Sequence, residues 1–572
     1  MGFPIGEALR TTLSEGYGAA DLRADVLAGV VVGVVALPLS MALSIAVGLP
    51  PQHGLYTAVV AGIVAALLGG CKFQVSGPTA AFIVVLAPIF SQHGLTGLLA
   101  AGLLAGVMLV VMGLGGLGNL IQFIPYPVTT GFTTGIAIVI ATLQLKDVLG
   151  LSVARMPDDY VGKLAALWDA RFSFHPQELA VAAVTLGLLL GVPRVLKKIP
   201  APLVALSLVS LGAAALHHAD PAFSVATIGT RFGGIPSTLP TPALPDFSFD
   251  LLRKIFPAAF AIAALGAIES LLSAVIADSL TGTRHEPNSE LVALGLANVL
   301  CPVFAGIPAT GALARTATNI RFGARSPVSA VVHALVVLLS ILLLSPLVAF
   351  VPMAALAALL LLVAWNMSEV RNFLGVVRIA PRSDVAVLLT CCALTVFLDM
   401  MVAVSVGFVL AAVLFMRRMA ELTSIRVQLD MTQEEKLADL PPGVALYEVN
   451  GPLFFGAAQK AMGAAAGIRT APFKVVVMPL GKVPTIDATG LVALENAIRS
   501  LGRHGKTVVL AGPLPSPDIL FDRARLTAHH RNLKIAENLS TALILAEAIA
   551  TGVHRQGRPP APKEPQGEAL TS

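Results

Sequence analysis

The chain has 572 residues, of which 56% are hydrophobic and only 12% charged, with a formal net charge of +5. A soluble domain carries about 25% charged residues, so this composition excludes an ordinary soluble protein and reads as a polytopic membrane protein. No basic patch interleaves with aromatic residues, and the small positive balance gives no reason to invoke nucleic acid.

Residues 1–23 read as a cytosolic N-terminal segment. Glu7, Glu15 and Asp21 lie there, and the basic n-region of a cleaved signal peptide is missing. From 24 to 418 apolar runs recur, and at about 20 residues per span they predict fourteen transmembrane segments, several short or bent. The first carries Pro38 inside Val35–Ser40, where proline removes a backbone donor and opens the helix. Residues 73–77 read as extended, with a helix expected from about Pro78, a favoured helix-start residue. Val303 to Pro308 repeat that pattern before a helix expected near Thr310. Both helices should start near the bilayer midplane.

Sliding Val75–Ala81 onto Gly306–Ala312 by 231 positions superimposes Thr79 on Thr310 and Ala81 on Ala312. The same shift lays Ala36, Ile45 and Ala46 on Ala267, Ile276 and Ala277, and it sets Glu269 opposite Pro38. Two blocks sharing one offset predict an internal repeat, at about 24–218 and 252–418. Interrupted helices at matching places in two halves point to the binding site of a secondary transporter.

An even number of spans puts both termini on one side. Arg194, Lys197 and Lys198, then Arg284, then Arg321 and Arg325, then Arg371, Arg378 and Arg382 occupy alternate loops, which places those loops in the cytoplasm. The opposite connections near 48–53, 91–96, 346–352 and 398–400 have no Lys or Arg. Asp399 reads as a turn cap.

Composition changes after Arg417-Arg418 into a charged linker, 419–440. Strand and helix then alternate: strand 444–449, helix 457–467, strand 473–478, helix 488–502, strand 506–511. This predicts a small cytosolic α/β domain, 441–554, with a buried sheet. The proline-rich tail 555–572 reads as disordered.

The four cysteines, Cys71, Cys301, Cys391 and Cys392, lie in or beside apolar segments without zinc-ligand spacing, so no metal site is expected. Nothing has the pattern of a catalytic triad, and Gly113–Gly118 lacks the strand-to-helix context of a nucleotide loop. The chain is therefore read as no enzyme and as having no cofactor.

A helix N-terminus presents unpaired N–H groups and about half a positive charge, so two facing one another make an anion site without a lysine. Thr79 and Thr310 could add hydroxyl donors, while Ala80, Ala81, Gly311 and Ala312 let a ligand approach the backbone; tight helix packing is the competing reading. Arg315 follows one turn later, and a cation near the midplane costs about 2.5–3.5 kcal/mol or more, which makes function its default explanation. Glu269 is the only carboxylate between Asp250 and Asp278. Burial favours a neutral acid and a nearby guanidinium favours the anion, so a carboxylate held between the two can exchange protons; a permanent ion pair with Arg315 is the alternative. His333 reads as a hydrogen-bonded packing residue.

Val75–Ala81, Gly266–Leu272, Asn288–Leu291 and Ala309–Thr316 together resemble the sulfate permease (SulP) family of anion transporters. Leu453-Phe454-Phe455 and Ile486–Gly490 are similar to that family's cytosolic STAS domain. Thr281–His285 and Trp365–Glu369 most resemble the bacterial branch of proton-coupled C4-dicarboxylate transporters. The resemblance implies seven-plus-seven inverted repeats with core and gate domains, and a homodimer. It implies an anion site lined by Thr79, Ala80, Thr310, Gly311, Ala312 and Arg315, with Glu269 and Ser273 facing it for proton coupling. Sodium-coupled bicarbonate members tend to have aspartate at the place of Glu269, so protons are expected before sodium. Leu39 and Leu43 stand where many members have Gln and Tyr, which weakens the transfer of sulfate specificity. A hydroxyl residue at the place of Thr489 can be phosphorylated in soluble STAS proteins, which makes Thr489 a candidate regulatory site and a cytosolic protein a candidate partner.

The expected function is proton-coupled uptake of a C4-dicarboxylate such as succinate, fumarate or aspartate across a bacterial inner membrane. Sulfate or bicarbonate symport, an uncoupled anion channel and a membrane-tethered signalling scaffold are the alternatives.

Overall fold

The computed structural model describes residues 5–119, 125–154, 156–196, 199–238, 240–244, 248–398, 400–422, 424–428, 440–454, 458 and 472–552. Asp399, most of the helix expected at 457–467 and the tail 555–572 lie outside them. The chain divides into two units, Met1–Ala411 and Ala412–Ser572.

The first unit is helical, and ten helices are long and apolar enough to cross a membrane among the described residues. After a short α1 (Glu7–Ser14) come α2 (Ala19–Val47), α3 (Gln52–Leu68), strand β1 (Ser76–Gly77), α4 (Ala81–Leu114) and α5 (Tyr126–Val148). The half closes with α6 (Tyr160–Asp169), α7 (Pro176–Val195) and α8 (Ala201–Ala219). A five-residue α9 (Ile228–Phe232) leads to α10 (Phe249–Thr281), α11 (Pro287–Leu300), strand β2 (Thr310–Gly311), α12 (Leu313–Arg321) and α13 (Val328–Val348). Then follow α14 (Met353–Met367), α15 (Val370–Ile379), α16 (Arg382–Phe397) and α17 (Met400–Leu422). Gly94 takes φ 65°, ψ −168° and breaks α4 into two arms. Counting both arms, and leaving aside α1, α6, α9 and α15, gives fourteen segments among the described residues, in line with the expectation.

The packing exchanges under a swap of halves. α2 packs on α13 as α10 packs on the second arm of α4; α3 packs on α13 as α11 packs on α4; α5 packs on α16 as α14 packs on α7. Helices α2–α4 and α10–α13 thus form one bundle, and α5, α7, α8, α14 and α16 another. The offset between halves differs from the one expected. The N-caps Ala80 and Ala312 of α4 and α12 are 232 residues apart, and the strand starts Ser76 and Thr310 are 234 apart. The left-handed glycines that end α2 and α10, Gly48 and Gly282, are separated by the same 234. No single shift therefore superimposes the two halves, and the 231 expected from sequence lies one to three residues from these landmarks.

The second unit carries a five-stranded sheet in the order β3 (Ser424–Gln428), β4 (Val444–Asn450), β5 (Val475–Pro479), β6 (Thr507–Ala511), β7 (Leu533–Ala536). β3 runs antiparallel to β4 and the remaining pairs are parallel. β3 lies in the stretch read from sequence as linker. Its helices are α18 (Ala488–Arg503), α19 (Pro515–Arg523), α20 (Leu526–His529) and α21 (Leu539–Thr551). Successive side chains of a strand point to opposite faces: Val475 and Val477 pack with Ala542 and Ala546 of α21, while Val476 and Met478 pack with Leu494 and Ile498 of α18. Burial on both faces explains the continuous apolar strands. Tyr447, buried against the α18 face, has its hydroxyl pushed up to about 12 by desolvation.

Candidate anion site

The two interrupted segments meet in the first bundle. Backbone pairing of Gly77 with Thr310 and of Ser76 with Gly311, extended by Ala312 N–H donating to Val75 C=O at 2.8 Å, sets the starts of α4 and α12 against each other. The first arm of α4, Ala81 to His93, and the nine-residue α12 span roughly 20 and 14 Å at 1.5 Å per residue, short of a bilayer's ~30 Å core. Their first-turn N–H groups have no intrahelical partner, so each start offers donors and a positive dipole end.

Glu269 of α10 lies across from the first start, where its Oε2 accepts from Thr79 Oγ1 at 2.9 Å. The residue is half-buried. Arg315 is 2% exposed, and its Nη2 donates to the Pro78 carbonyl. Its Nε and Nη1 have no hydrogen-bond partner. A Cβ on Gly77 would lie 2.7 Å from Nη1, so the glycine makes room for the guanidinium. Glu269 and Arg315 form no ion pair among the described residues, in contrast to a permanent salt bridge. The guanidinium instead crosses from the second helix start to the carbonyl of the first, with Nε and Nη1 unmatched.

Ala80, Gly311 and Ala312 are buried at the strand-to-helix junctions. Thr310 is fully buried and donates to the Gly266 carbonyl at 3.1 Å, so its hydroxyl secures α10 rather than standing free. Ser273, one turn from Glu269, is fully buried and donates to Thr316 Oγ1 at 3.2 Å; Thr316 in turn accepts from Val75 N–H at 3.1 Å. His333 is fully buried among α3 and α13, with the Ala330 backbone within reach of its ring, as a packing residue. Thr281–His285 fold into a cap at the end of α10, where Asp278 Oδ2 is 2.6 Å from His285 Nδ1, three turns beyond Glu269.

A second set of buried polar groups holds the crossed segments and escaped the sequence reading. Glu290 of α11 accepts from the N–H groups of Gly70 and Cys71 at 3.0 and 3.1 Å and from Gln74 Nε2 at 2.7 Å. Gln74 Nε2 also reaches Ser270 Oγ at 2.6 Å, next to Glu269. On the other side Asn298 clasps Ala309 through both backbone groups, at 2.8 and 2.9 Å, and Thr57 donates to the Ile307 carbonyl at 2.9 Å. Polar residues inside the apolar stretches of α3 and α11 were the signal available.

In the second unit Asp487 caps α18 by accepting from Gly490 N–H at 2.6 Å. Thr489 is exposed in the first turn and is not the cap. A Cβ on Gly490 would strike the Leu453 carbonyl, which accounts for glycine there.

Comparison with known proteins agrees with this architecture. The sulfate permease family model matches residues 22–391 and the STAS domain model residues 436–542. YvdB of Bacillus subtilis is 41% identical over 479 residues, 84% of this chain and 89% of that protein. The bicarbonate transporter BicA of Synechocystis is 32% identical over 481 residues, 80% and 82% of the two chains. Among solved structures, the transmembrane domain of a cyanobacterial BicA aligns with a TM-score of 0.60 at 30% identity, covering 69% of this chain and 98% of that domain. SLC26A9 aligns with a TM-score of 0.81 at 18% identity over 96% and 93% of the chains, a likeness of fold.

Proposed function

The chain belongs to the sulfate permease family and is a secondary anion transporter, and from that premise we propose that it carries a small oxyanion inward together with protons by alternating access. The observation that carries this reading is the pairing at the crossed helix starts: a half-buried Glu269 held by Thr79 at one, and at the other Arg315 with two buried N–H groups unmatched. Two helix ends of about half a charge each plus the guanidinium make about +2 when Glu269 is protonated and about +1 when it is ionised. Protonation therefore favours anion entry. Thr79, Ala80, Thr310, Gly311 and Ala312 shape the site, and Ser273 with Thr316 positions α12 against β1.

A planar guanidinium fork matches two oxygens on one centre. That class holds sulfate and bicarbonate, which the family and BicA are named for, and the C4-dicarboxylates of the sequence resemblance. The residues that carry the dicarboxylate resemblance, Thr281–His285 and Trp365–Glu369, end α10 and α14 away from Glu269, so weight moves toward sulfate and bicarbonate. The reading includes a bacterial inner membrane with both termini cytoplasmic, a homodimer, protons rather than sodium as coupling ion, and regulation of the STAS domain through Thr489 by a cytosolic protein.

The test is uptake of radiolabelled bicarbonate, sulfate and succinate into proteoliposomes under an imposed inward proton gradient. Accumulation above the external concentration is expected for one of the three, and Glu269→Gln is expected to abolish the proton-driven part. Full acid-stimulated uptake in that variant would remove the coupling role, and uptake that only equilibrates would assign an uncoupled channel.

A further inference from the structure

A groove of about 610 Å³ opens between α5, α7 and α14, far from the crossed helix starts in sequence and in bundle. Its walls are apolar: Ile138 and Ala141 from α5, Leu186 and Leu190 from α7, Leu361 and Trp365 from α14. These residues fall at the middle of α5 and in the second halves of α7 and α14, so the groove reaches from mid-span toward one membrane face. At that face it ends on Ser368 and Val370, where α14 passes into α15.

The mouth is basic. Arg194, in the last turn of α7, is exposed, its Nη1 donating to the carbonyl of the groove residue Leu190 at 2.5 Å. Arg371, next to Val370, is exposed in the first turn of α15, and Arg378 follows two turns later on the same side. None of the three forms an ion pair among the described residues. Glu369 is the one carboxylate beside them, and its Oε2 accepts from Asn372 at 2.9 Å. The helix α15 has no buried residue. Val370, Leu374 and Val377 fall on one of its faces with the two arginines beside them, the layout of a helix lying in the membrane interface. Trp365, 67% exposed on the rim, suits the same depth, where indoles concentrate. An apolar slot among membrane-spanning helices, with exposed guanidinium groups at its mouth, matches a molecule with a hydrocarbon chain and an anionic head.

We propose that this groove is a binding site for a phospholipid with an anionic headgroup, one acyl chain lying between α5, α7 and α14 and the phosphate facing Arg194 and Arg371. The site rests on the membrane fold and not on the anion site, so either can fail alone.

The test is native mass spectrometry of the delipidated full-length protein, titrated with phosphatidylglycerol or with phosphatidylcholine of the same acyl chains. Phosphatidylglycerol is expected to be retained several-fold more, the double variant Arg194→Ala/Arg371→Ala to erase that preference, and Ala141→Trp to reduce both adducts. Equal retention of the two lipids by the wild type, or a preference that survives in the double variant, would overturn the site. Inorganic phosphate is expected not to compete; competition would make the arginines a free-anion site instead. If Ala141→Trp converts a dimer to monomer and leaves lipid retention unchanged, the groove is a seam between two copies and the lipid assignment fails.

Discussion

Arg315 is buried with donors to spare. One of its nitrogens is committed to Pro78, two are unmatched, and a buried donor left unmade carries a desolvation cost. In the proposed mechanism an oxyanion accepting from Nε or Nη1 recovers it. Lysine would keep the charge but lose the planar pair of donors. Losing one hydrogen bond to a charged group, about 1.5–3 kcal/mol, corresponds to roughly tenfold or more in affinity. Arg315→Lys is therefore expected to raise the KM for uptake about tenfold or more while the unfolding temperature stays near that of the wild type. An unchanged KM would remove Arg315 from the site.

At the scale of elements, the bundle depends on backbones that nearly touch. A Cβ on Gly295 of α11 would lie 2.6 Å from Val110 N and 2.7 Å from Gly106 O of α4, and small residues at such crossings replace the hydrophobic drive that lipid denies. Gly295→Val has to push the two helices apart, so its unfolding temperature in detergent should fall by several degrees; no change would show that the crossing yields freely. The broken segments, the fourteen spans and the Thr79/Glu269/Arg315 set were legible because glycine, proline and charge are conspicuous in apolar runs. The register was not: the halves are offset by 232 at the N-caps Ala80 and Ala312 and by 234 at Gly48 and Gly282, so no single shift superimposes them. Nor were Gln74, Ser270 and Glu290 legible as a group, since the bonds joining them cross about 200 residues and no local periodicity marks which polar residue meets which.

For the whole molecule, the second unit has its own two-sided core and includes β3, so residues 424–554 are expected to fold as an independent domain. A purified fragment should show one cooperative thermal transition by circular dichroism, and a fragment starting at 441 should be less stable for want of the β3–β4 ladder; equal stability of the two would deny β3 a place in the domain. In the first unit the proposed mechanism depends on an anion occupying the space between Thr79 and Arg315. That occupancy is measured most directly by placing a thiol there: Thr79→Cys, in a protein with its four native cysteines replaced by alanine, labelled by a small water-soluble thiol reagent with and without the transported anion. The account predicts that the anion slows labelling at this position while a control thiol at exposed Arg321 is unaffected. Labelling at position 79 that is indifferent to saturating anion, in a variant that still transports it, would contradict the account.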